Sequence, residues 1–169
     1  ETRAEAGVWQ AICQIHLNLC TRAADSGRGA DTRIAREALK AAETSARLFK
    51  GLEDLEGEAG ALQLVANAHL HLADYDASLR VARESLEAAN SLGSAPVISA
   101  ALIAMCQAYM QMENFSEAMA AAQEAVSISQ QHGDEQGLTS AQYFVKILED
   151  AMKPKQPQRF GFGGPPGRG

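Results

Sequence analysis

Aromatic residues make up only 5% of this 169-residue chain, against 46% for apolar residues of all kinds. That scarcity argues against sheet architectures, whose strands draw on aromatic and β-branched side chains. Cysteine is nearly missing. Cys13, Cys20 and Cys106 are odd in number and lack C-x-x-C spacing, which excludes a disulfide framework and a thiolate zinc site and fits a reducing compartment, cytoplasm or organelle interior. No apolar run approaches the roughly 18–20 residues of a spanning helix. Basic residues are sparse in the body. Residues 1–150 hold all 21 acidic residues against 11 basic ones, while Lys153, Lys155, Arg159 and Arg168 lie beyond. A body so acidic is unsuited to phosphate backbones, so nucleic acid is excluded as a partner. Catalytic signatures are missing too: the chain holds no G-x-S-x-G, no phosphate-binding glycine loop and no H-E-x-x-H. No enzyme, cofactor or metal site is expected. The chain starts at Glu1 rather than methionine, as expected of a processed or trimmed chain whose targeting segment is out of view.

What fills the composition is alanine, the residue of close-packed helices, and the length suffices for one domain with its own core. The chain also matches itself at an offset of 40. "ANAHLHLADYDASLRVARESLEAANSLGS" at 66–94 lies over "CQAYMQMENFSEAMAAAQEAVSISQQHGD" at 106–134, with Leu62 on Leu102, Ala68 on Ala108, Leu79 on Met119, Ala82 on Ala122 and Gly93 on Gly133. Backwards, "AICQIHLNLC" at 11–20 matches "LVANAHLHLA" at 64–73, an offset of 53. The first unit thus carries a 13-residue insertion near 21–33, read as a surface loop between its two helices. Cys20, beside it, is the thiol to watch for reactivity. Within each unit the apolar spacing is helical, so each unit is a helical hairpin. Gly93 and Gly133 mark helix ends, Asp134 and Ser94 helix starts, and Asn114 with Glu117 a capping box.

These residues resemble the tetratricopeptide repeats, in their roughly forty-residue form. Unit three carries Leu102, Met105-Cys106, Tyr109, Phe115 and Ala118 at the family's pattern positions, and unit one carries Trp9, Ile12-Cys13 and His16. His16 and His69 depart from the first-helix aromatic, Ser78 from the signature alanine, and Ala42, Ala82 and Ala122 from a second-helix aromatic. The alanines predict tighter helix spacing. The resemblance implies an all-α, right-handed solenoid of about three and a half hairpins, or seven helices. It occupies 1–153, with units at about 5–54, 55–94 and 95–134 and a final helix at 135–153. The tail at 154–169, rich in Pro and Gly and basic, is expected to be extended.

His69 and His71 tempt a metal reading, but residues two apart on a helix point about 200° away from each other, and His69 holds a packing position. The resemblance instead directs attention to the concave face formed by the first helices. It implies a peptide groove of Gln10, Gln14, Leu17 and Asn18 from unit one, and Gln63, Asn67, Leu70 and His71 from unit two. Ile103, Gln107, Met110 and Gln111 follow from unit three, then Tyr143 and Ile147 from the last helix. Gln14, Asn67 and Gln107 form an amide row suited to a peptide backbone, with Leu17, Leu70 and Met110 as an apolar row beside it. No Lys or Arg falls in this groove, unlike in the carboxylate-clamp members of the family. Arg159, Phe160, Phe162 and Arg168 are the expected docking residues of the tail. The function implied is a non-enzymatic adaptor or scaffold that binds other proteins through groove and tail. The alternative is a permanent peripheral subunit of a large complex, docked membrane complexes of organelles, photosynthetic or respiratory, included.

Overall fold

The computed structural model of the chain describes residues 2–26 and 31–153. These form seven helices and no strand: α1 Arg3–Asp25, α2 Thr32–Gly51, α3 Leu55–His71, α4 Tyr75–Leu92, α5 Ala95–Gln111, α6 Phe115–His132 and α7 Glu135–Met152. Each helix packs on the next in sequence, and α1, α3, α5 and α7 also touch in succession. Among the described residues no contact joins α2 to α4 or α4 to α6. First helices that touch, beside second helices that do not, define a curved stack with the first helices inside. The fold is an all-α solenoid.

Alanine makes this stacking possible. Ala61 and Ala101 on successive first helices, and Ala82 and Ala122 on successive second helices, are fully buried at equivalent positions. Helices that meet on residues this small can approach closely. The approach is close enough for side-chain hydroxyls to reach the next helix's backbone: Ser45 donates to the Ala6 carbonyl, and Ser85 donates to the Ala59 carbonyl, each at 2.9 Å. The two serines are 40 residues apart and the two acceptors 53 apart, so one bond repeats in both units and spans the insertion. Ser78, at the family's alanine position, is likewise fully buried and donates to the Ala66 carbonyl at 2.9 Å. A hydroxyl is tolerated there because it has a partner. Gly57 is demanded by packing, since a Cβ at this position would overlap the Phe49 ring.

Helix ends follow the expected turn chemistry in part. Asp134 caps α7 by accepting from the Gly137 amide at 3.0 Å, and Asp54 and Asp74 do the same for α3 and α4. Gly93 and Gly133 hold the left-handed conformation at φ 65° and 69°. The Asn114–Glu117 capping box does not form: Asn114 sits at the N-cap of α6, but its side chain makes no capping bond, and neither does that of Ser94 at α5. Chain geometry alone starts those two helices.

The insertion also differs from the expected loop. α1 runs on to Asp25, α2 begins at Thr32, and Asp31 caps α2 by accepting from the Arg33 amide at 3.0 Å. Extending both helices of the first hairpin gains backbone bonds and apolar contact that a loop would forgo. Arg22 and Arg33 therefore stand on helices, and Arg33 forms an exposed pair with Glu37 at 3.7 Å.

Glu53, Ala73 and Glu113 also occupy the left-handed region, at φ 55°, 58° and 60°. An L-residue is strained there by about 1–2 kcal/mol, and glycine is not. Ala73→Gly and Glu113→Gly are each expected to raise the free energy of unfolding by about 1 kcal/mol. Urea titration followed by circular dichroism measures this, and a loss of stability in both would contradict the turn geometry.

Candidate functional site

The concave face carries a continuous groove. Between α1 and α3 it is walled by Gln10, Gln14, Gln63 and Asn67 over a floor that includes Gly7, Ala11 and Gly60. Gln63 and Asn67 also belong to a second recess of about 430 Å³, which α5 and α7 complete with Ile103, Gln107 and Phe144. With Gln136 of α7, six side-chain amides therefore line one channel. The small floor residues keep it open, because no side chain there reaches across.

The groove holds little charge. Asp134 is the one charged side chain among its described lining residues. That carboxylate is already engaged, accepting from the Gly137 amide at 3.0 Å and from the Ser99 hydroxyl at 2.9 Å. In the amide row, Gln14 donates to Asn18 at 3.2 Å. No bond of the Asn67 or Gln107 amide within the fold is present among the described residues, and both are half-buried. They stand as donors and acceptors facing the channel.

The apolar row does not assemble as expected. Leu17 is only 4% exposed and packs in the core with Cys13, Ala38, Ala41 and Ala42. In the repeat frame α2 starts a turn earlier than α4 and α6, so it covers the part of α1 that is open in the other first helices. Leu70 is half-buried, and Met110 packs beside Tyr109 and Phe115. Neither lines the two recesses. Asn18 and Gln111 are exposed, and His71 and Ile147 half-buried, further along the same helices. Burial depresses the His71 pKa, which favours its neutral ring. Tyr143 is exposed and meets Phe144 edge-on, ring centres 5.5 Å apart.

Apolar contact in the groove comes from Ile103, Ala100, Ala104 and Phe144. Phe144 was not among the expected groove residues. The signal for it was available: Ala104 lies 40 residues before it, and a ring replaces alanine only where there is room. The recess beside α5 provides that room. Arg159, Phe160, Phe162 and Arg168 lie outside the described residues.

No second chemistry emerges. His69 is turned inward with its Nδ1 3.5 Å from Asp74, and His16 Nε2 lies 3.8 Å from Glu37. Among the described residues no group of three or more His, Cys, Asp or Glu side chains could hold a metal ion. All three thiols are fully buried. Desolvation pushes the Cys13 thiol up to about 12 and the Cys106 thiol up to about 11, and raises that of Cys20 as well. Cys20, the thiol to watch for reactivity, is thus as enclosed as the other two, and burial holds it protonated.

Solved structures share the fold. The apo form of RapI superposes with a TM-score of 0.71 at 12% identity, over 89% of this chain and 50% of that one. The STAND protein PH0952 from Pyrococcus horikoshii, which has a tetratricopeptide repeat sensor, gives 0.62 at 21% identity, over 73% and 20%. The chain thus spans half the length of the first and a fifth of the second. Stacked hairpins, the repeat period and these neighbours define a protein of the tetratricopeptide type. The model of one family, anaphase-promoting complex subunit 5, matches residues 66–152, and the chain belongs to that family. No curated protein matches it in sequence.

Buried, protonated thiols react only when the fold opens. Labelling by a thiol reagent at pH 8 is expected to be at least about 100-fold slower in the native protein than in urea, for all three cysteines. Fast native labelling of Cys20 would place it at the surface.

Proposed function

We propose that this chain is a non-enzymatic scaffold segment of a multi-protein complex, and that its groove receives an extended segment of a partner protein. The observation that carries this reading is the convergence of Gln10, Gln14, Gln63, Asn67 and Gln107 in one channel whose single charged lining residue is Asp134. A side-chain amide both donates and accepts, so it can pair with either polar group of a peptide backbone whatever the ligand's sequence. Packed helices lie about 8–10 Å apart, and an extended chain advances about 3.3 Å per residue. Each unit would therefore meet about every third residue, while Ile103 and Phe144 take up an apolar side chain in the deeper recess. An acidic C-terminus finds no counter-ion there. The family name, a subunit of a complex, favours a lasting place in an assembly over a free-standing adaptor.

Two amide bonds contribute about 1–3 kcal/mol together. Once the partner is identified by native purification of the tagged chain, Asn67→Ala with Gln107→Ala is expected to weaken its binding at least about fivefold by calorimetric titration. The thermal midpoint should hardly change, since neither amide supports the fold. Unchanged affinity would remove the groove from the reading.

A further inference from the structure

The outer face of α1 is apolar where the rest of the stack makes such faces disappear. At the register of Val8, the later first helices carry Ala61, Ala101 and Ala141; at the register of Ile15, they carry Ala68, Ala108 and Leu148. All six are fully buried. In the stack, the second helix of the preceding hairpin covers this face, as shown by Ala61 clustering with Leu48 and Phe49 of α2. On α1, Val8 is 57% exposed and Ile15 58%, and Leu19 continues the line one turn on at 44%. Spacings of seven and four place these three on one stripe of the helix.

Among the described residues, the outer face of α7 is polar instead. The positions of Leu102, Cys106 and Tyr109, which face α6 in unit three, become Gln142, Lys146 and Glu149 in α7. All three are exposed. A helix face suited to water carries such polar residues. α7 has such a face and α1 does not.

We propose that the outer face of α1 is a docking surface for a further helical hairpin of the same repeat type, seated as α6 is seated on α7. The chemistry of that hairpin is set by precedent within the fold. Leu148, the large residue at the Ile15 register, clusters with Ala118, Ala121 and Ala122 of α6, and Ala141 clusters with Ala125. A bulky residue on the first helix is accommodated by an alanine ridge on the helix above it. The covering helix must bring such a ridge, because Val8 and Ile15 leave no room for larger partners. A second copy joined tail to head lacks it, since its α7 end is polar.

The test grafts a copy of residues 95–134 directly ahead of Thr2, the residue that stands in the frame where Glu135 follows Asp134. The grafted copy carries Ser99→Ala, Ser129→Ala and Asp134→Ser, the residues that unit two holds one repeat earlier as Ala59, Ala89 and Ser94, because Ala4 brings a Cβ where Gly137 has none and that Cβ would meet Asp134, Ser99 and Ser129. The graft is expected to raise the thermal midpoint by about 5–10 °C. Val8→Lys with Ile15→Lys should abolish that gain, yet move the midpoint of the ungrafted chain by less than about 2 °C. The proposal is overturned if the graft gives no gain or if the gain survives the lysines. It is equally overturned if the ungrafted chain forms a dimer in sedimentation that Ile15→Lys dissociates, which would make a second copy the occupant.

Discussion

Contact between alanine faces is the constraint from which the rest of this structure follows. Alanine contributes little apolar area by itself, so its value lies in distance. With Ala42, Ala82 and Ala122 fully buried at one register and Ala61, Ala101 and Ala141 at another, the backbones come close enough for Ser45, Ser78 and Ser85 to bond carbonyls of the helix beside them. Each of those bonds satisfies a hydroxyl that would otherwise be costly to bury. A larger side chain at any of these alanines would separate the helices and break the bond together with the packing. Small residues and buried serines are thus two parts of one arrangement.

Curvature is the next consequence. First helices touch along the whole stack while second helices remain apart, so the inner face is continuous and the outer one ridged. The inner face is also the less charged. Glu84, Glu87, Glu113 and Glu117 are exposed away from the groove, and Asp134 inside it is bonded by its own helix start and by Ser99.

The repeat makes much of this legible in the sequence. A match at an offset of 40 states that equivalent residues occupy equivalent places, so one unit read correctly gives the others. The hairpins, the glycine ends at Gly93 and Gly133 and the inward turn of His69 all follow from that. Legibility failed where the units are not equivalent. The resemblance puts Leu17 in the groove, but the longer α2 covers it. Cys20 reads as the neighbour of a loop, and it is fully buried within a helix that runs on to Asp25. Phe144 stands where the other units carry Ala11, Leu64 and Ala104, so the repeat alone does not mark it as a ring in the recess. The capping box at Asn114 failed for another reason. A compatible residue permits a capping bond, but the rotamer decides whether it forms.

Comparing units also separates packing from recognition. At the register of His16, His69 and Tyr109 the residue type changes, and each ring finds a different polar neighbour: Glu37 at 3.8 Å, Asp74 at 3.5 Å, and Arg83, which donates to the Tyr109 hydroxyl at 2.9 Å. The fold asks only for a ring of suitable size there and accepts whatever its tip can reach. At the register of Gln14, Asn67 and Gln107 the demand is reversed. No packing requirement acts on an amide that faces a channel, and an exposed helix position favours Lys, Glu or Ala at least as well on propensity. Asparagine is among the weaker helix formers, yet Asn67 stands in mid-helix with its amide toward the groove. An amide kept through three units, at a site where the core does not require it, is what the proposed capture of a peptide segment asks for.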